Sequence, residues 1–169
     1  MPNRDNPNGF TPIRHRNGGD IRAEKIKLAA ANAKIGIGDP LTRTAAGLYD
    51  RWSGGNTWDG VALEPAAASS GKEIAAVLDD DVVFEVQTDD TTGVLTAETG
   101  IHLNADIIVA NPPGSRSIAE LDESSGATTA TLPAKVVGLA RRQGNAYGQF
   151  NRLEVMMNQT AKHAGTAGV

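Results

Sequence analysis

The sequence predicts a mainly β protein, a single β-barrel or β-sandwich domain with an extended N-terminal arm and little helix. Three features carry that expectation. Apolar residues alternate with polar ones in short runs, turn-forming clusters interrupt the chain roughly every ten residues, and only one weak helix candidate is present. Composition agrees, since 19 of 169 residues are glycine and 4% are aromatic, which leaves Val, Ile, Leu and Ala to build the core. The length suits one domain of the usual size.

Residues 1–22 read as the arm, with Gly18-Gly19 as its hinge. The first twenty residues hold three prolines, three glycines and four asparagines, and Phe10 and Ile13 are their only large apolar side chains. Such a segment has too little apolar surface to order itself, so Phe10 and Ile13 are expected to anchor on another surface. The β-rich domain spans residues 23–158. In it, Ile26 and Leu28 alternate with Lys25 and Lys27, and Ile35 and Ile37 repeat the pattern before the Gly38-Asp39-Pro40 turn, which suggests a hairpin. The segment 45-AAGLYDRWSGGNTWDG-60 carries both tryptophans between glycines, and Val61 and Leu63 mark another short strand.

The stretch 79-DDDVVFEVQTDD-90 contains five aspartates around an apolar run. Val82, Phe84 and Val86 project to one side and Val83, Glu85 and Gln87 to the other, so Asp81 to Gln87 form a strand that buries one face and half of the second. Aspartate is depleted in strands and favoured in turns, which places Asp79-Asp80 and Asp89-Asp90 outside it, where their charge also discourages aggregation. A calcium loop needs a glycine at its bend and a bidentate Glu, an order that the aspartates lack. Leu103 to Val109 leads a strand into Asn111-Pro112-Pro113-Gly114, and 115-SRSIAELDESSG-126 is one helical turn or a loop. The apolar patterns of 134-AKVVGLARR-142 and 150-FNRLEVMMN-158, joined by a glycine-bounded connector, predict a closing hairpin, and residues 159–169 predict a flexible C-terminal tail.

Charge is unevenly spread. Residues 1–27 carry six basic and three acidic side chains, residues 28–140 six and sixteen, and residues 141–169 four and one. Basic ends flanking an acidic middle suggest arms of one sign lying on a surface of the other. The basic residues are dispersed rather than clustered with aromatics, so direct nucleic-acid binding is not expected. Without cysteine there is no disulfide framework and no thiolate chemistry. No run approaches the roughly 18 apolar residues of a membrane span, and the polar start predicts a soluble, unexported chain with no membrane partner.

No catalytic signature stands out. His15, His102 and His163 lack a second ligand at short spacing, Gly36-Ile37-Gly38 lacks the third glycine of a dinucleotide cradle, and neither Ser53 nor Ser115 stands in a nucleophile elbow. Paired carboxylates for glycoside hydrolysis depend on the fold rather than on spacing, yet the aromatics that line such clefts are few. No catalytic, cofactor-binding or metal-binding residue is expected. Trp52 and Trp58 are either core plugs or interface anchors.

In order along the chain, 3-NRDNPNGFTPIRH-15, Gly18-Gly19-Asp20-Ile21-Arg22, 36-GIGDPL-41, 82-VVFEVQ-87 and 138-GLARRQGNAYGQFNRLEVMMN-158 resemble the capsid decoration, or cement, proteins of tailed bacteriophages. The resemblance implies a structural virion protein without catalysis on the outer surface of an icosahedral head. It would clamp adjacent subunits of the major capsid protein, as a homo-oligomer with a trimer favoured over a dimer. The arm would lie along the capsid or a neighbouring copy, and Arg4, Phe10, Ile13, Arg14, Arg16, Trp52 and Trp58 are the expected capsid or oligomer interface. Two alternatives stand beside it. A carbohydrate-binding or host-attachment module predicts an aromatic platform from Trp52, Trp58 or Tyr49, and a small β-barrel hydrolase predicts a polar cleft with strongly shifted carboxyl groups.

Overall fold

A computed structural model describes residues 3–55, 57–89 and 92–169. Asp90 of the predicted flanking turn and Asn56 of the tryptophan segment lie outside them. Twelve short strands form among the described residues, and the elements of the first half are β1 (Thr11–His15), β2 (Glu24–Lys27), β3 (Pro40–Arg43), β4 (Tyr49–Arg51), β5 (Gly60–Ala62), β6 (Glu73–Val77) and β7 (Val82–Gln87). The second half adds β8 (Asn104–Ala105), β9 (Ile107–Ile108), β10 (Glu120–Leu121), β11 (Ala134–Leu139) and β12 (Arg152–Met157). They make one five-stranded antiparallel sheet in the order β1-β7-β12-β11-β8, a second in the order β2-β6-β5-β3-β4, and a small pair β9-β10. Neither large sheet closes on itself, so of the two predicted architectures the sandwich is the one adopted.

The core explains the arrangement. Alternation sends Val82, Phe84 and Val86 of β7 and Leu153, Val155 and Met157 of β12 to the inner side of the first sheet, where they meet Val61 and Val77 of the second. The opposite side of the second sheet is also covered: Ile26, Ile74 and Ala76 pack with Leu28, Ile35, Leu41 and Ala66. β7 is a central strand, buried on both faces except at Glu85, as its apolar run predicts.

Several elements depart from the sequence expectation. The hairpin expected about Gly38-Asp39-Pro40 does not form: β3 pairs with β4 and β5, β2 pairs with β6, and Ile35 bridges Ala66 while Ile37 bridges Arg116. Alternation marks these segments as extended without naming their partners, and the buried side chain of Asn32, whose Oδ1 accepts from Ser70 N at 2.9 Å and Gly71 N at 3.0 Å, holds the 69–71 turn against this stretch. Residues 115–126, expected as one helical turn or a loop, hold the short strand β10 and one 3₁₀ turn, Glu123–Ser125, where Asp122 accepts from Ser124 N at 2.9 Å. The C-terminal residues lie against the first sheet, with Trp58 N donating to Gln159 O at 2.8 Å and Asn104 Nδ2 to Thr166 O at 2.7 Å. The closing hairpin forms as expected, β11 pairing antiparallel with β12 from Ala134↔Met157 to Leu139↔Leu153 with one irregularity after Val136.

The N-terminal segment is built into the sandwich. β1 adds to the edge of β7 with Thr11 opposite Glu85 and Arg14 opposite Val83, and a bulge at Ile13 absorbs the register shift. Just before it Phe10, 1% exposed, inserts between the sheets, its ring 4.6 Å from that of Trp58, which is in turn 5.4 Å from Phe84. Gly9 makes this entry possible: its φ of +66° belongs to the left-handed region, and a Cβ there would lie 2.5 Å from Gly38 O and from Ser117 Cβ. Removing the Phe10 ring by Phe10→Ala is therefore expected to cost about 3–5 kcal/mol, read as a lowered urea midpoint. Gly9→Ala is expected to destabilise as well, and an unchanged midpoint in both variants would refute the anchoring role of the segment.

Candidate functional site

The outer face of the first sheet collects most of the exposed chemistry of the N-terminal segment. Because Phe84 and Val155 face inward, their neighbours Val83 and Glu85 on β7 and Arg152, Glu154 and Met156 on β12 face outward. The register sets Glu85 directly opposite Glu154, a like-charge pair that is unfavourable by itself. Three arginines compensate it. Arg14 from β1 reaches Glu154 at 2.6 Å, and Arg142 from the β11–β12 connection and Arg152 share Glu85 Oε1 at 2.5 and 3.5 Å. Arg14 and Arg142 are half exposed, so each of their pairs contributes roughly 0.2–1 kcal/mol at most. Their larger effect is to fix where the guanidinium groups point.

A groove lies at each end of this face, with the Glu85–Glu154 pair between them. The first, about 750 Å³, has Val83, Val137 and Met156 among its apolar lining and Arg14, Arg16 and Lys135 among its cations. Asp80 and Asp81 line one side, and each member of the aspartate triplet faces a basic side chain from a terminal segment: Asp79 meets His15 at 3.2 Å, Asp80 meets His163 at 2.8 Å, and Asp81 meets Arg16 at 3.8 Å. Among the described residues, His15, Asp79 and Asp81 bring one ligand atom each within 4.8 Å of one another, an arrangement that could hold a cation. Local contacts already account for their placement, since Asp79 Oδ1 accepts from Asp81 N at 3.0 Å and Asp81 Oδ2 from Asn17 Nδ2 at 3.3 Å. The second groove, about 280 Å³, lies between residues 3–6 and the β11–β12 connection.

The predicted interface residues divide into two groups. Arg4, Arg14 and Arg16 are exposed on this side of the molecule, and Ile13 is 39% exposed at the bulge. Phe10, Trp52 and Trp58, at 1%, 2% and 0% exposure, are core residues and present no surface to a partner. Trp58 also donates its indole N–H to Gly60 O at 2.8 Å, which satisfies the polar atom inside the core. Flanking glycines gave no indication of burial for these rings; what buries them is the space between two sheets that no local pattern describes. Glu85, Glu154, Arg142 and Arg152 were not among the predicted site residues, although the alternation of Arg152-Leu153-Glu154-Val155 already placed two of them on one face.

The Asp39 carboxyl is perturbed upward by its surroundings. Asp39 is fully buried, and desolvation raises its pKa above the ordinary 3.8 despite bonds that favour the charged form, from Gly36 N at 2.7 Å and from the Ser117 hydroxyl. Ser117 Oγ accepts in turn from Ala119 N at 2.9 Å, so Asp39 fastens the turn at 36–39 to the strand-like segment 117–119 directly under Gly9. The group is a brace under the N-terminal segment and faces neither groove. Comparison with protein families, with characterised proteins and with solved structures finds no match for the chain.

Asp39 yields a signed pH dependence. Its folded pKa lies above the unfolded one, so its contribution to stability is fully present below the unfolded value and is lost as pH rises through the folded value. Asp39→Asn keeps an acceptor for Gly36 N and has nothing to ionise. Urea unfolding of both proteins at acid and neutral pH is expected to show the stability difference moving in the variant's favour as pH rises; a difference independent of pH would contradict the assignment.

Proposed function

We propose that the protein is a structural virion component that binds the outer surface of an assembled icosahedral phage capsid and clamps adjacent major capsid subunits, as a homo-oligomer and without catalysis. Two things support the reading. The ordered segments from Asn3 to Asn158 resemble capsid cement proteins, and the N-terminal segment is fixed by Phe10 while Arg4, Ile13, Arg14 and Arg16 remain on the surface. The second observation carries the proposal. A segment anchored through one buried ring and one strand pairing offers its cations in a preset geometry, so little conformational entropy is lost on docking. Many copies on one lattice then turn modest contacts into a strong clamp.

The fold weakens the two alternatives named from sequence. A sugar platform drew on Trp52, Trp58 or Tyr49, of which both tryptophans are buried and Tyr49 is partly buried, and Asp39, a carboxyl with a raised pKa, lies beneath the surface rather than in a cleft.

Cryo-electron microscopy of cognate capsids mixed with the purified protein is expected to show added density between major capsid subunits, and bare capsids at saturating protein would overturn the proposal. Deleting the whole segment is a poor test because Phe10 and β1 leave with it. The double variant Arg14→Ala/Arg16→Ala removes two side chains that are 51% and 65% exposed and keeps the anchor. It is expected to fold and to bind capsids about tenfold or more weakly, each tenfold corresponding to about 1.4 kcal/mol. Undiminished binding would move the interface to another face.

A further inference from the structure

The second groove has a composition unlike the first. Its charged lining is Arg4 from the N-terminal segment, Arg142 from the β11–β12 connection and Arg152 from β12, with no carboxylate among the described lining residues. Amide side chains complete it, and two of them hold its walls together. Asn3 donates to Ala146 O at 2.8 Å and Gln149 O at 3.0 Å, and Asn145 donates to Ala140 O and Arg152 O, both at 2.8 Å. Phe150, a non-glycine residue in the left-handed region at φ 56°, turns the chain at the rim.

The cations are under-compensated. Arg142 and Arg152 converge on a single oxygen of Glu85, whose nearest acidic neighbour Glu154 is engaged by Arg14. Arg152 spends its other nitrogen on Asn6 O at 2.7 Å and Gln87 Oε1 at 3.3 Å. Asp5 and Glu120 are the other acids near, and both lie across Gln87, whose amide nitrogen donates to each. Arg4 has no hydrogen-bond or ion-pair partner among the described residues. The Arg152 pKa is lowered by burial first and by the Arg142 charge second, with Glu85 and Glu120 opposing both.

We propose that this pocket binds a carboxylate side chain from an acidic segment of a partner protein, with Arg4 and Arg142 as its principal ligands and Arg152 as the buried base of the site. Guanidinium groups suit a carboxylate through paired, charge-assisted hydrogen bonds. A phosphate meets the same donors, but a nucleic-acid strand brings a continuous line of negative charge along a protein whose net charge is −4 and whose residues 28–140 carry sixteen acids against six bases. A single carboxylate needs only the pocket. The inference stands on this groove alone and does not require the partner to be a capsid subunit.

The test is fluorescence polarisation with a labelled hexapeptide of alternating Asp and Gly at low ionic strength. The wild-type chain is expected to bind it and to lose it as salt rises. Arg4→Glu, which disturbs no internal bond, is expected to weaken binding about tenfold or more with an unchanged melting temperature, whereas Arg16→Glu in the other groove is expected to leave it unchanged. Sodium phosphate is expected to compete no better than sodium chloride of equal ionic strength. No peptide binding by the wild type, or equal binding by Arg4→Glu, overturns the proposal. Specific displacement by phosphate, or tighter binding of a labelled single-stranded oligonucleotide, reassigns the pocket to phosphate and overturns it too. Capsid binding through Arg14 and Arg16 is read separately, so either proposal can fail alone.

Discussion

The burial of Phe10 against Trp58 is the contact on which the working surface depends. It draws the N-terminal segment between the sheets at one point, and the strand that follows pairs with β7. Once β1 occupies that edge, Arg14 and Arg16 stand over the outer face and residues 3–6 wall the second groove. The conditions for this insertion are local and strict. Gly9 must hold a positive φ within van der Waals reach of Gly38 and Ser117, and Asp39 must hold the underlying turn in place. A segment that looks unstructured by composition is thereby ordered through one ring, one glycine and one strand pairing.

The same geometry accounts for the uneven charge along the chain. Basic ends and an acidic middle suggested an arm lying on an oppositely charged surface, and within a single copy the two already meet. His15 and Arg16 from one end and His163 from the other each face one aspartate of the 79–81 triplet, while Arg142 and Arg152 cover Glu85. The Arg16–Asp81 and His163–Asp80 pairs are exposed enough to be worth little individually, whereas Arg152 and Glu85 are mostly covered. The collective role of these pairs is to make the Glu85–Glu154 juxtaposition tolerable in the centre of a sheet and to hold the cations in fixed directions around two grooves. Charge that is used internally in one groove is left over in the other, which is why the two ends of the face differ in chemistry although they share strands.

How much of this was legible in the sequence depends on the range of the interaction. Period-2 alternation located β7, β11 and β12 and separated the two faces of β7 and β12, because that pattern is a property of each strand by itself, whereas the irregularity after Val136 breaks it in β11. Asp79 and Asp80 were placed correctly outside the strand by the same turn preferences that any short peptide would show, while Asp81, expected as the first strand residue, precedes β7. Pairing was not legible: Ile26 and Ile35 carry equal alternation, and nothing in either says that the partner is β6 rather than the other segment. The tryptophans failed for a related reason, since a ring bounded by glycines fits an exposed loop and a core plug equally well until the second sheet is in place. Of the site, the exposed arginines of the first sixteen residues were visible, while Arg142 and Arg152 needed the hairpin to fold before they met Arg4.

Attachment of the N-terminal segment comes in two tiers, and that difference shapes what its surface can do. Residues 10–15 are held by a buried ring and by ladder pairing with β7, contacts that open only when the sheet opens. Residues 3–8 are held by side-chain bonds at the surface, from Asn3 to the 146–149 stretch and from Arg152 and Gln87 to Asn6. Exposed bonds of this kind exchange with water at small net cost, so the outer tier opens at a fraction of the free energy that the inner tier requires. Arg4 therefore lies on a wall that yields locally while the floor beneath it, Arg152 and Glu85, belongs to the rigid sheet. A carboxylate docking there, as proposed, would meet one wall that opens locally and a charged floor fixed by the sheet, and the Phe10 anchor keeps such opening from spreading into the core.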